Sequence, residues 1–437
     1  MQTFTMIGQM LLALSIMVGL HEFGHFFAAK IFGMRVEKFF IGFLPRLFSF
    51  KKGETEYGIG MIPLGGFVKI AGMIDESFDT EALKSDPKPY EYRSKPAWQR
   101  LIVILAGVFV NIVTGMLLFS ATLFYFGEIV VPASEIKKHG IVAYEIGKEI
   151  GLKTGDKIIK INGNDYNYFS ELVSSKVLLD KEASFTVIRE NDTLEIKIPK
   201  DFANKFVGKN GKFIDFAFPF TVDSVIPNMP AYMAGLKKND LIIEVDSIKI
   251  NYFHQLQEAL TEKKGQNIKL KVLRNDTVEI TASVDTNGKL GFIPKSLIKL
   301  DTIKYSLTES LIKGPAFAYS VVKDNIKGFK KIFSGEIDPR KAVGGPVSIA
   351  KMYGTEWNWE RFWKLTGLIS IILAFMNLLP IPALDGGHMM FILYEIVTGK
   401  KPSDRFLEIA QRIGVIILLC IMAFALFNDI FREIFEI

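Results

Sequence analysis

Leu101 to Phe126 is 26 consecutive residues without a charged side chain. At a helical rise of about 1.5 Å per residue, such a run crosses a hydrocarbon layer of roughly 30 Å. Three further stretches approach the same standard: Met6 to Leu20, continuing apolar to Ala29 apart from His21, Glu22 and His25; Leu365 to Leu384; and Ile413 to Asn428. Four such runs predict a polytopic α-helical membrane protein with four spans. No Lys or Arg precedes the first run, and polar residues interrupt its end where a leader would be cleaved, so it reads as a retained span.

The basic residues give an orientation. Twelve Lys and Arg lie between Lys30 and Arg100, and Lys400, Lys401, Arg405 and Arg412 crowd the loop between spans three and four. The positive-inside rule assigns these two loops to the cytoplasm, and both termini and the segment from about Gly127 to Trp359 to the outside. Over the whole chain, 53 Lys+Arg against 47 Asp+Glu leave a dispersed charge of +6, which excludes a dedicated nucleic-acid-binding role. The single cysteine, Cys420, excludes a disulfide framework and a thiolate-rich metal site, so any metal must be held by His and carboxylates.

The outer segment repeats itself at an offset of 84 residues. Gly151-Leu152-Lys153-Thr154-Gly155-Asp156 recurs as Gly235-Leu236-Lys237-Lys238-Asn239-Asp240, Asn167-Tyr168-Phe169 as Asn251-Tyr252-Phe253, and Asn191-Asp192-Thr193 as Asn275-Asp276-Thr277. Short β-branched runs among Gly, Asn and Asp turns, with one helix per copy, predict two mixed α/β domains. Each copy resembles a PDZ domain, which implies capture of extended peptides or chain ends by strand addition; a spacer or gate without a ligand is the alternative. Beyond them, Thr302 to Phe333 has the spacing of an amphipathic helix or helix pair, either at the membrane surface or packed on a neighbouring domain.

The chemistry concentrates in His21-Glu22-Phe23-Gly24-His25. On a helix, His21 and His25 share a face and can hold one Zn²⁺, with Glu22 beside it to take a proton from water. A catalytic zinc needs a third protein ligand and an open position. Asn377-Leu378-Leu379-Pro380-Ile381-Pro382-Ala383-Leu384-Asp385-Gly386-Gly387-His388 places two prolines and two glycines inside the third apolar run, so a regular helix cannot pass through it. Asp385 is therefore poised beside unwound backbone, which at membrane depth must be packed in protein or line a wet cavity.

These two motifs resemble those of the site-2 protease family of intramembrane zinc metalloproteases, and the layout is most similar to its bacterial RseP-like branch. Supporting matches are Pro63-Leu64-Gly65-Gly66-Phe67-Val68-Lys69, Ala106-Gly107 with Asn111, and Gly344-Gly345-Pro346; Val108 departs from the family pattern, which has Pro there. The resemblance implies that His21, His25 and Asp385 bind zinc, that Glu22 is the general base and that Asn377 holds the substrate backbone. It implies a re-entrant β-hairpin after the first span, and the alternating segment Glu56–Ile62 suggests that Gly58, Ile59, Gly60 and Met61 pair with an unwound substrate. His388 is assigned a hydrogen-bonding role, because a fourth ligand would close the site.

The expected division is 1–127 and 362–437 for the membrane catalytic part, 128–208 and 209–296 for the PDZ-like domains and 297–361 for an amphipathic linker. The implied activity is peptide hydrolysis within single-span membrane proteins, such as anti-sigma factors or remnant signal peptides, in a bacterial inner membrane. Membrane lipid and an upstream site-1 protease are the implied partners. Two rivals stand beside it: an inactive peptide-binding membrane scaffold, against which Glu22 argues, and a zinc transporter, which the long outer repeat fits less well.

Overall fold

The computed structural model describes residues 2–73, 86–174, 177, 183–199, 213–335, 340 and 344–435. The chain divides into two compact units, one made of Met1–Gly127 and Lys304–Ile437 and the other of Glu128–Ile303.

In the first unit, helix α1 (Gln2–Ile31) and helix α2 (Ala97–Phe126) contain no proline. Pro96 precedes α2, and Gly127, at φ +82°, ends it. Among the described residues, three helical stretches are long and apolar enough to cross a membrane: Thr3–Ile31, Ala97–Phe126 and Arg405–Phe431. The third apolar run is broken, as its prolines and glycines predict, and it is not among these three stretches, so the expected four spans are corrected to three of membrane length among the described residues. Helix Trp359–Asn377 has 19 residues, about 28 Å of rise, and after seven intervening residues a new helix, Asp385–Thr398, begins. Pro380 and Pro382 supply no backbone N–H, so the first helix cannot be propagated through them.

The amphipathic helix Leu307–Phe333 starts on a capping box formed by Ser306 and Glu309. It packs on the membrane helices of its own unit: Ala318 and Val321 are buried against Phe119 and Ile371. The carboxy-terminal helix Asp404–Phe435 is tied to the Gly344-Gly345-Pro346 motif through Asp429, whose carboxylate accepts the N–H groups of Gly345, Val347 and Ser348 at 2.8–3.1 Å.

Between α1 and α2, strands β1 (Val36–Lys52) and β2 (Thr55–Ile70) form a hairpin that turns at Gly53 and folds back on itself. Phe39 pairs with both Tyr57 and Val68, and Phe40 with both Gly58 and Phe67, while Phe48, Ser49 and Phe50 pair with Ile59, Gly58 and Tyr57. Four arms therefore lie side by side in the order 46–52, 55–60, 36–41 and 66–70. This corrects the expectation for the strand-pairing segment: Gly58, Ile59 and Gly60 sit in an inner arm. Gly58 and Ile59 have neighbours on both sides, so their backbone groups are not on an open edge. Met61 is at the end of that arm with its side chain exposed. Among the described residues, the arm 66–70 has a strand neighbour on one side only. Leu47, Phe48, Phe50, Ile59 and Met61 all expose apolar side chains.

The second unit contains the repeat as two separate cores, one centred on Ile141, Ile158, Phe185 and Phe213 and the other on Val222, Ile242, Leu256 and Leu270. The duplicated Gly-Leu-Lys-x-x-Asp motif folds the same way twice. Asp156 and Asp240 each accept the N–H of the Lys three residues earlier at 2.8 Å. Each also accepts two bonds from an arginine, Arg189 in the first copy and Arg274 in the second. Burial works to raise the Asp240 carboxyl, but the bonds from Arg274 and from the Lys237 N–H hold it below its ordinary value. The expected boundary at 208/209 lies outside the described residues. Strand Ile214–Phe216 pairs with Ile141–Ala143 and belongs to the first core, so the second copy begins after it. Strand Asp301–Ile303 pairs with Glu128–Val130, which extends this unit beyond the expected limit at 296.

Candidate metal centre

The helical turn of α1 brings His21 and His25 to one face, with their Nε2 atoms 3.1 Å apart and their rings edge to face. From more than 350 residues later in sequence, Asp385 at the start of its helix places Oδ2 3.2 Å from His21 Nε2 and 3.5 Å from His25 Nε2. Ligands bound at about 2.0–2.1 Å around a tetrahedral ion stand roughly 3.3 Å from one another. The three atoms have that spacing. Among the described residues, this is the one group of three or more His, Cys, Asp or Glu side chains that could hold a metal ion.

The protonation pattern also fits a cation. His25 Nδ1 lies 2.8 Å from the Val103 carbonyl, which can only accept, so Nδ1 carries a proton and Nε2 is the nitrogen turned to the cluster, where a neutral ring offers a metal its lone pair. Asp385 Oδ2 is buried without a hydrogen-bond partner although two imidazole nitrogens adjoin it. A buried carboxylate oxygen left unpaired beside two imidazole nitrogens is what a metal ion satisfies. The Asn111 amide stands 3.4 Å from His21 Nδ1 and its Oδ1 is buried without a partner. Turned about its amide axis, Asn111 meets the Nδ1–H of a metal-ready His21 through that oxygen.

A cavity of about 570 Å³ adjoins these atoms, lined by Glu22, Asn377, His388 and Gln411 among others. Glu22 follows His21 directly, and Asn377 Nδ2 is 3.2 Å from His21 Nε2. The structure thus brings His21, Glu22, His25, Asn377 and Asp385 to one place. Gly58, Ile59, Gly60 and Met61 are not in its wall; Gly65, Gly66, Phe67 and Val68 are. His388 lines the cavity and lies outside the three-atom cluster.

Two contributors gained their roles only from the structure. Gly107, quoted above only as part of a supporting motif, faces the imidazoles from α2 so closely that a Cβ there would stand 2.4 Å from His25 Nε2. Gln411, 2% exposed, reaches the cavity from the carboxy-terminal helix, and nothing in its local sequence distinguishes it from a surface glutamine.

Known proteins match the chain along most of its length. The model of peptidase family M50 matches residues 9–421. The regulator of sigma E protease of Haemophilus influenzae is 30% identical, over 98% of each chain. The regulator of sigma-E protease RseP of Escherichia coli is 28% identical, over 97% of each.

Proposed function

From the premise that this chain belongs to peptidase family M50 and is a zinc metalloprotease of the site-2 protease type, we propose that it hydrolyses peptide bonds inside the membrane-spanning segments of single-span proteins. One observation carries this reading: the Nε2 atoms of His21 and His25 and Asp385 Oδ2 lie 3.1–3.5 Å apart, beside a cavity that also holds Glu22. His21 and His25 lie on α1, an apolar helix of membrane length, and Asp385 opens the helix that follows the broken segment.

In this proposal His21, His25 and Asp385 hold the zinc. When bound, zinc acidifies a water molecule and polarises a carbonyl. Glu22 accepts the water proton and delivers it to the departing amine. Asn377 holds the substrate backbone beside His21. His25 is kept in register by its bond to the Val103 carbonyl, and α2 shields it from lipid.

The scissile carbonyl must first leave its helical hydrogen bond, so the substrate has to be held extended. The arm 66–70, with one strand neighbour and with Gly66, Phe67 and Val68 in the cavity wall, is suited to take it as an added strand. Along a strand, N–H groups point alternately to either side, so proline at Phe67 or at Val68 removes a donor from the open edge. With zinc retained, at least one of these substitutions is expected to lower cleavage about tenfold or more. Undiminished cleavage in both folded variants would refute strand addition here.

The duplicated outer domains are proposed to be PDZ-like filters that admit substrates already shortened by a site-1 protease. The setting is a bacterial inner membrane with both termini outside the cytoplasm. The test is a reconstituted cleavage assay on single-span substrates with intact and truncated outer domains. Deletion of residues 128–303 is expected to let intact substrates be cut at the rate of truncated ones. Loss of cleavage of truncated substrates would instead assign the repeats to capture of the new chain end. Zinc-loaded protein that cuts no member of the panel would favour the peptide-binding scaffold.

A further inference from the structure

Asp385 is fixed by a turn that holds an unfavourable backbone conformation. Ala383, two residues earlier, has φ +82° and is buried. The other non-glycine residues at positive φ among the described ones are Asn, Asp, Glu or Ser. Several of these side chains can bond locally to the backbone, whereas alanine cannot, and the conformation costs it about 1–2 kcal/mol. Something outside the turn has to hold it.

The carboxy-terminal helix does so at two points. Gly414 lies against Pro382 so closely that a Cβ there would fall 1.7 Å from the Pro382 carbonyl oxygen. One turn earlier, Gln411 Oε1 accepts the Ala383 N–H at 3.2 Å, in a buried bond. Because a backbone N–H can only donate, the amide of Gln411 is oriented without ambiguity: oxygen to Ala383, nitrogen away from it. Nε2 is buried and has no hydrogen-bond partner, and Gln411 lines the cavity that contains His21, Glu22 and Asp385.

A buried amide nitrogen with two unpaired N–H donors destabilises the protein unless something else accepts from it. The same cavity is lined by acceptors already assigned: the carboxylates of Glu22 and Asp385, and the oxygens of Asn111 and Asn377. An extended peptide laid through the cavity offers carbonyl oxygens along both edges. Asn377 can take one of them from the helix Trp359–Asn377, and Gln411 reaches in from a different helix.

We propose that Gln411 is a substrate-binding residue whose Nε2 donates a hydrogen bond to a carbonyl oxygen of the bound peptide, while its Oε1 holds the turn that carries Asp385. The inference deepens the intramembrane peptidase reading and rests on it. One side chain thereby ties the metal-bearing turn, the carboxy-terminal helix and the peptide together.

The two roles separate in a cycle of variants of the full-length protein. Gln411→Met keeps length and loses both polar atoms. Ala383→Gly removes the conformational cost of the positive φ, so the turn no longer depends on the clamp. Zinc retention against a chelator and KM for the single-span peptide that the unsubstituted protein cleaves are measured for each single variant and for the pair. Gln411→Met is expected to lose zinc faster and to raise KM about tenfold, the worth of one hydrogen bond. The pair is expected to recover zinc retention and keep the raised KM. An unaltered KM in Gln411→Met, or one restored in the pair, would overturn the proposal and leave Gln411 holding only the turn or a water molecule. Should Gln411→Met fail to accumulate alone, the pair with Ala383→Gly, whose turn no longer depends on the clamp, carries the test: the same rise in KM is expected, and its absence overturns the proposal equally. Unsubstituted protein that binds zinc and cleaves no peptide would fail the intramembrane peptidase reading instead.

Discussion

Glu22→Gln is expected to keep one zinc per chain and to lower kcat by about 10²–10⁴-fold, the usual contribution of a positioned general base. The amide has nearly the shape of the carboxylate, so the cavity wall and the helical turn that aims His21 and His25 are preserved. What disappears is the only function the reaction asks of the side chain, accepting a proton from water and returning it to the amine. At 1.36 kcal/mol per tenfold, the loss corresponds to about 3–5 kcal/mol of transition-state stabilisation. KM should change little, because Glu22 is not assigned to the substrate. Metal analysis together with single-turnover cleavage of a single-span peptide separates the possibilities. Retained zinc with hydrolysis equal to that of the native protein would remove Glu22 from the mechanism. Zinc transport does not need a base at this position, so a transporter would tolerate the substitution.

The same residues show why part of the site could be read from sequence and part could not. His21 and His25 are four apart on a helix, and helical geometry alone brings them together. Asp385 announced itself through Pro380, Pro382, Gly386 and Gly387, which break an apolar run where regular helix was otherwise expected. The broken span was therefore legible, although the resulting short helix, Trp359–Asn377, was not distinguished from a full crossing. The strand-pairing segment was misplaced for a different reason. Alternation in Glu56–Ile62 identifies a strand, but whether that strand is inner or outer depends on how β1 and β2 fold back on each other. Phe40 meeting both Gly58 and Phe67 is a long-range register that no local pattern encodes. The boundary between the outer domains was missed similarly: Ile214–Phe216 follows the first repeat but returns to pair with its beginning. Gln411 needed the coordinates of the turn it supports.

Gly107→Ala should be as damaging as removal of a metal ligand. The added methyl would lie 2.4 Å from His25 Nε2, 2.6 Å from His25 Cε1 and 2.8 Å from His21 Cε1, well inside van der Waals contact and on the side of the rings where their lone pairs converge. Neither partner can retreat freely. His25 is bonded through Nδ1 to the carbonyl of Val103, one turn before Gly107 on α2, so swinging the ring away breaks that bond. α2 cannot simply back away either, because it is packed against α1 at Gly24, where a Cβ would meet the Ala106 carbonyl oxygen at 2.5 Å. Overpacking of this kind costs about 1–3 kcal/mol, and here the strain falls on the ligand atoms themselves. The expected result is folded protein with little or no bound zinc and cleavage near background. Gly115→Ala on the same helix is the comparison: its methyl would meet Ile371 at 2.6 Å and the Gly367 carbonyl oxygen at 3.1 Å, neither of them a metal ligand, so zinc should be retained even though stability falls. Stoichiometric zinc and native cleavage in Gly107→Ala would show that the metal does not sit between these imidazoles and α2.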